Sequence, residues 1–66
     1  MILKHNEIKK IVKTELDVKT NLLVVTILMK KNSKKVSIKL SIDELNSLEY
    51  FIDQASGDVE FVIYNQ

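Results

Sequence analysis

The eight residues Leu22–Met29 constrain the fold more than any other part of this chain. They read Leu-Leu-Val-Val-Thr-Ile-Leu-Met, so a strand formed here would present apolar side chains to both of its faces. Such a strand lies in the middle of a sheet and is covered above and below. The run is far too short to span a membrane as a helix. It therefore predicts a buried central strand with a neighbour on each side.

The segments that flank this run alternate between apolar and polar residues with the period of two that half-buried strands show. After the run, residues 36–40 alternate in this way. Before it, the alternating positions are Val12, Thr14, Leu16 and Val18. We expect the first strand to begin near Ile8, but Ile8 and Ile11 also fit a helical stripe. A short N-terminal helix therefore stays open as the alternative.

Two polar segments separate the three predicted strands. Thr20-Asn21 connects the first to the second, and asparagine tolerates the left-handed conformation that a tight hairpin turn needs. Residues 30–35 form a lysine-rich turn between the second and the third. Three antiparallel strands in a meander follow from this arrangement.

A helix begins after the third strand. Ser41 and Glu44 have the spacing of a capping box, in which each side chain bonds the backbone amide of the other residue. The apolar stripe of this helix is Leu45, Leu48, Ile52 and Ala55. Gly57 stands where a helix C-cap favours glycine, and Val59 to Tyr64 predict a last strand.

The element order β-β-β-α-β predicts a single small α+β domain over residues 1–66. We expect a three-stranded antiparallel meander, one helix packed on one face of the sheet, and a C-terminal strand that rejoins the sheet. Because the helical crossover reverses the chain direction, this last strand would be parallel to whichever odd-numbered strand it neighbours.

A chain of 66 residues has marginal stability, and this one has no cysteine for a disulfide. One helix covers only one face of the sheet, so we expect a two-fold homodimer to cover the other. The expected dimer interface is the second-strand face formed by Leu23, Val25, Ile27 and Met29. The alternatives are that Ile2, Leu3 and Ile8 cover this face within one chain, or that a partner protein docks on it.

The residue types argue against an enzyme. The only histidine, His5, lies near the N-terminus, where we expect it to be solvated and frayed. With a single histidine and no cysteine, no structural zinc site is expected, and a single glycine excludes both the P-loop and the dinucleotide-binding motif. Glu49 and Asp53 are neighbours on the helix, but two carboxylates alone make a weak metal site. We therefore expect no catalytic residues, no metal and no cofactor.

The net charge is only +1, but positive and negative charges are concentrated in different parts of the chain. All ten lysines lie within residues 1–39, whereas residues 40–66 carry six acidic residues and no lysine. One hypothesis is a small nucleic-acid-binding regulator, whose phosphate contacts come from Lys30, Lys31, Lys34 and Lys35. The absence of arginine, which reads base edges and clamps phosphates, makes this the alternative rather than the first choice.

The favoured hypothesis is a non-enzymatic protein-binding module. Tyr50 lies off the apolar stripe of the helix beside Glu49 and Asp53, and Tyr64 faces away from Phe61 in the last strand. Tyrosines flanked by acids suit the binding of a basic partner surface. The Met1 start without a signal peptide and the lack of cysteine suggest a cytoplasmic protein with no membrane attachment. Its size and composition would suit a phage or mobile-element accessory protein that inhibits or modulates a host protein.

Overall fold

The computed structural model describes residues 1–64, and this part of the chain forms five strands and one α-helix. Two single turns of 3-10 helix connect strands, at His5–Glu7 and Lys31–Ser33. The other elements are β1 (Ile2–Lys4), β2 (Ile8–Asp17), β3 (Leu22–Met29), β4 (Lys35–Leu40), α1 (Ile42–Gln54) and β5 (Glu60–Val62).

Strands β2, β3 and β4 form the predicted antiparallel meander, with β3 in the middle. The small α+β fold class is therefore confirmed, and residues 8–17 are a strand rather than a helix. Asn21 closes the β2–β3 turn with a φ of 57°, the left-handed conformation expected of it. The continuous apolar run of β3 is thus placed where both of its edges are hydrogen-bonded to another strand.

Strand β2 departs from simple alternation through two β-bulges. Its pairing with β3 shifts register between Ile8 and Lys10 and again between Ile11 and Lys13. Each bulge inserts one extra residue, so apolar side chains three positions apart reach the same face of the sheet. Ile8 and Ile11 consequently point into the core, whereas Val12 remains 39% exposed.

Helix α1 begins with the predicted capping box. The Ser41 hydroxyl oxygen accepts a hydrogen bond from the Glu44 amide at 3.2 Å, and the Glu44 carboxylate accepts one from the Ser41 amide at 2.9 Å. Leu45 and Leu48 bury one side of the helix against the sheet. The helix ends at Gln54, so Gly57 is not its C-cap but lies in the following turn, with a φ of 75°.

The last strand finds a different neighbour from the one expected. β5 pairs with β1, antiparallel, in a separate two-stranded sheet with Leu3 opposite Phe61. The amide of Ile63 donates to the Met1 carbonyl at 2.8 Å, which extends the pairing beyond the strand. The prediction that β5 runs parallel to a strand of the meander is wrong, because the three residues of β1 supply the free edge instead. A strand this short has no alternation from which to predict it.

One hydrophobic core joins the two sheets and the helix. Its buried side chains come from β1, β2, β3, β4, α1 and the residue after β5, and they are Leu3, Ile8, Val25, Ile27, Ile38, Leu40, Leu45, Leu48 and Ile63. The β1–β5 pair therefore packs on the same side of the meander as α1. Within residues 1–64, no helix has both the length and the apolar character needed to cross a membrane.

Candidate functional site

The exposed side of α1 carries three of the four residues predicted to bind a protein. Tyr50 is 70% exposed, and Glu49 and Asp53 are exposed beside it. Leu45 and Leu48 take up the opposite side of the helix, so the helical period turns these polar positions toward solvent. The side chains of Glu49 and Asp53 are neighbours, one turn apart.

A groove of about 230 Å³ runs between α1 and β2 and places these two carboxylates in a defined setting. Ile11 and Ile52, both partly buried against the core, supply apolar walls. Glu49 and Asp53 line it from the helix, and Lys10 lines it from the strand. The groove thus combines apolar contact area with two carboxylates close together.

The contribution of β2 to this groove was missed from the sequence. Simple alternation would turn Val12 rather than Ile11 toward the helix, whereas the bulges bring Ile11 and Lys10 to the groove. The helix-like spacing of Ile8 and Ile11 was the signal for this arrangement, because a bulged strand also turns residues three apart to one side.

Tyr64 is 87% exposed and is not among the residues that line the groove. It lies two residues beyond the end of β5, after the buried Ile63. The alternation expected for this segment holds in the structure, with Phe61 and Ile63 turned inward and Val62 and Tyr64 outward. Tyr64 is thus exposed, but it lies outside the groove that Glu49 and Asp53 line.

The predicted lysine-rich turn forms a second concave surface. Asn32 and Ser33 both have positive φ values, 58° and 52°, and close the turn between β3 and β4. The resulting groove of about 390 Å³ is lined by Glu7, Met29, Lys31, Asn32, Lys34 and Val36. It includes two of the four lysines proposed to contact phosphate. The other two, Lys30 and Lys35, are exposed beside it.

The expected dimer interface lies in the core instead. Val25 and Ile27 are fully buried on the side of the sheet that α1 covers, and Leu23 and Met29 pack partly buried against the same core. They therefore do not form a surface that a second copy can reach while the chain keeps this fold.

The helix and the β1–β5 pair together cover this side of the sheet. The alternative that N-terminal residues cover this face within one chain therefore holds for Leu3 and Ile8, which are buried in the same core, but not for Ile2, which is 58% exposed.

The opposite side of the meander, which we call the open face, is built around alternate residues of β3. These are Leu22, Val24, Thr26 and Leu28, all partly buried but none of them part of the core. Their neighbours on β2 are Asp17, Glu15, Lys13 and Lys10. On β4, Lys39, Ser37 and Lys35 lie opposite Val24, Thr26 and Leu28.

Ion pairs join charged side chains of the open face. Glu15 bonds the Lys13 ammonium group and raises the pKa of that amine. Asp17 accepts a hydrogen bond from the Lys19 amide at 3.0 Å, which holds the pKa of its carboxyl below the ordinary value. The Lys39 Nζ atom, 3.7 Å from Asp17, adds to this effect. Apolar residues thus run down the middle of this face and charged residues border them.

His5 is not the solvated, frayed residue expected from the sequence. Its Nε2 atom lies 2.9 Å from the carbonyl oxygen of Ile52. Its ring packs edge-on against that of Phe51, with 5.4 Å between the two ring centroids. A carbonyl oxygen only accepts, so Nε2 carries the proton and donates it. Ile52 is in the last turn of α1, where carbonyls lack partners within the helix. His5 therefore has a structural role at this helix end.

Within residues 1–64, no group of three or more histidine or acidic side chains is arranged to hold a metal ion. Searches for related proteins add no assignment, since no family model, no curated protein and no solved structure matches the chain.

Proposed function

We propose that this chain is a non-enzymatic protein-binding module that holds a basic segment of its partner in the groove between α1 and β2. The observation that carries this proposal is the meeting of Glu49 and Asp53 with the apolar walls of Ile11 and Ile52. A lysine or arginine of the partner would form charge-assisted hydrogen bonds with the two carboxylates. Its neighbouring apolar residue would pack on the isoleucines.

Tyr50 supports the same proposal from beside the groove. It projects into solvent from the same helix, next in sequence to Glu49. Tyrosine is enriched at binding hot spots because it offers a large, rigid contact area with one polar end. Tyr64 would extend the contact only for a partner that also reaches the segment after β5.

We propose further that the module acts as a homodimer in the cytoplasm. A chain of this size without disulfides gains stability from self-association, and this supports the dimer. In the setting that the composition suggests, a phage or mobile element, the partner would be a host protein that the module inhibits or modulates.

The test is affinity capture from a lysate of the native host, after nuclease treatment, with the partner identified by mass spectrometry. We expect Glu49→Gln/Asp53→Asn to lose a partner that the wild type retains in stoichiometric amount. Asp43→Asn/Asp58→Asn is the matched control, because it removes the same charge at exposed positions outside the groove. Equal capture by both variants would show that the groove is not the binding site.

A second candidate function is nucleic-acid binding at the lysine-rich turn, favoured by the groove that Lys31, Asn32 and Lys34 line. The probes are a mixed-sequence single-stranded RNA and a DNA duplex, with affinity measured between 50 and 200 mM salt. If this turn contacts phosphates, Lys31→Ala/Lys34→Ala should reduce the slope of log affinity against log salt by about 2. Lys4→Ala/Lys19→Ala is the control with equal charge, and an equal loss of slope there would indicate nonspecific attraction.

A further inference from the structure

We propose that a second copy of this chain packs on the open face of the meander, with its strands antiparallel to those of the first copy. This inference rests on the proposed homodimer and names the surface that forms it. The covering of Val25 and Ile27 by α1 leaves the open face as the side of the sheet that a second copy can reach.

The middle of the open face supplies the apolar contact. Leu22, Val24 and Leu28 lie along one side of β3, and all three lie outside the core. Two sheets packed face to face bury such alternate residues between them at a spacing of about 10 Å. Thr26 interrupts the apolar row, but its hydroxyl lies 3.3 Å from the Ser37 hydroxyl and already has a partner there.

The order of charges along β2 is self-complementary. Lys13 and Lys10 border the half of the face near Leu28, and Glu15 and Asp17 border the half near Leu22. Lys10 also lines the α1–β2 groove, because it lies on the edge strand of the meander, where its long side chain is next to both sides of the sheet. The face is therefore basic along this edge at one end and acidic at the other. Such an arrangement matches a copy of itself that is turned end to end.

A two-fold axis that crosses the strands midway between Val24 and Thr26 makes this match. It sets β2 of one copy over β2 of the other and reverses the strand direction. The position of Val24 in one copy then lies over that of Thr26 in the other, and the position of Leu22 over that of Leu28. The registry then places Lys13 of each copy opposite Glu15 of the other, and Lys10 opposite Asp17. Opposite charges that face each other in this way stabilise a contact and fix its register.

Strand β4 is compatible with the same axis. Lys39, at the level of Val24, comes opposite Ser37 of the second copy, at the level of Thr26. Lys35, which pairs with Leu28, comes over the part of the second copy beside its Leu22. The paired part of β4 does not reach that far, because it ends at Leu40, opposite Leu23. No lysine of this strand is therefore placed directly over another lysine.

The alternative two-fold axis, along the strands, gives a worse match. It sets β2 over β4 of the second copy without reversing direction, so the Leu28 level of one copy meets the same level of the other. Lys10 would then face Lys35 and Glu15 would face Lys39, once in each half of the dimer. This arrangement therefore has as many like-charge contacts as opposite-charge contacts, whereas the antiparallel arrangement has two kinds of opposite-charge contact on β2 and no like-charge contact there. Like charges placed opposite each other destabilise a contact, so the charges select the antiparallel arrangement.

The first experiment is sedimentation equilibrium of the full chain from low micromolar to near-millimolar concentration. Val24→Glu should weaken the dimer by about a hundredfold or more, because every dimer carries the buried charge twice. Leu16→Glu is the matched control, since Leu16 is an exposed leucine of β2 on the helix side of the sheet. Circular dichroism checks that each variant is folded.

The second experiment depends only on exposed residues and so tests the proposal even if Val24→Glu unfolds. Lys13→Glu and Glu15→Lys should each weaken self-association by about tenfold, because each creates two like-charge contacts. An equimolar mixture of the two variants should restore the dimer, since glutamates of one chain then face lysines of the other. Tagging one variant identifies the heterodimer.

The outcomes separate this inference from the proposal on which it rests. A chain that is monomeric throughout the concentration range would overturn both the dimer and its interface. A dimer that survives Val24→Glu would keep the homodimer and overturn this interface. So would a mixture of Lys13→Glu and Glu15→Lys that associates no better than either variant alone. Affinity capture through the α1–β2 groove is measured separately, because none of the four residues varied here, Val24, Leu16, Lys13 and Glu15, lines that groove.

Discussion

His5 ties the N-terminal part of the chain to the C-terminal end of α1. Its hydrogen bond to the Ile52 carbonyl satisfies one of the acceptors that the end of a helix leaves unpaired. Its ring lies edge-on to Phe51, which in turn packs against Phe61 of β5. A single side chain thus links the segment after β1, the helix and β5.

His5→Ala should lower the free energy of unfolding by about 2 kcal/mol, the sum expected for one hydrogen bond and one aromatic contact. Asn6→Ala is the control, because Asn6 is an exposed residue of the same 3-10 turn. Urea denaturation followed by circular dichroism measures both. An equally small effect of the two substitutions would show that His5 does not hold the helix end.

Asp17 has a different role, at the start of the β2–β3 turn. The Lys19 amide donates to its carboxylate and favours the charged form, so the pKa of this carboxyl falls below its ordinary value of 3.8. The folded state then binds this proton less readily than the unfolded state. The resulting stabilisation is complete above the unfolded pKa and is lost as the pH falls through the lower folded pKa.

We therefore expect Asp17→Asn to be less stable than the wild type at pH 6 and to approach it at acidic pH. The measurement is urea unfolding of both proteins from pH 6 down to pH 2. Because the wild type is compared with the variant at each pH, the titration of the other carboxyls largely cancels. A stability difference that stays constant over this range would contradict the assigned effect of the turn.

At the scale of elements, the two bulges of β2 decide which of its residues reach the core. They turn Ile8 and Ile11 inward and leave Val12 exposed. Bulges also interrupt the regular hydrogen-bonding groups of an edge strand, which hinders the addition of another strand. β2 is such an edge, because β3 is its only neighbour in the meander.

Ile11→Ala should cost about 2 kcal/mol of stability, and Val12→Ala should cost less than about 0.5 kcal/mol. Simple alternation along β2 predicts the opposite order, with Val12 inward and Ile11 outward. Thermal or urea unfolding of the two variants decides between the two registers. The sequence neighbours serve as controls for each other, because both substitutions shorten an aliphatic side chain in the same strand.

At the scale of the whole molecule, segments far apart in the sequence close the core together. Leu3 of β1 and Ile63, just after β5, are buried in the same cluster as the helix and the meander. The N-terminal ammonium group donates to the Ile63 carbonyl at 2.8 Å. Leu3 and Ile63 are therefore structural parts of this small domain although they lie 60 positions apart in the sequence.

Leu3→Ala should lower the free energy of unfolding by about 3 kcal/mol, as expected for a large side chain removed from a core. Ile2→Ala is the control, because Ile2 is its neighbour in β1 but is mostly exposed. Denaturant unfolding measures both variants. If the two variants had equal stability, β1 would not be an essential part of the core.

Local patterns were sufficient to predict several elements. The continuous apolar run of β3 placed it in the middle of the meander, and the capping box marked the start of α1. The exposure of Tyr50, Glu49 and Asp53 also followed from the helical period alone. These features depend on neighbours within a few residues, so their physical causes are present in the sequence itself.

Tertiary structure decided what depends on residues far apart in the chain. β5 pairs with β1 across nearly the whole sequence, and His5 bonds a carbonyl 47 positions away. The side of β3 that the helix covers was also undetermined, because both of its faces are apolar and only packing against α1 and the β1–β5 pair selects one. The sequence thus determined the meander, the helix and their order, while the packing of apolar faces determined which surfaces of the molecule remain exposed.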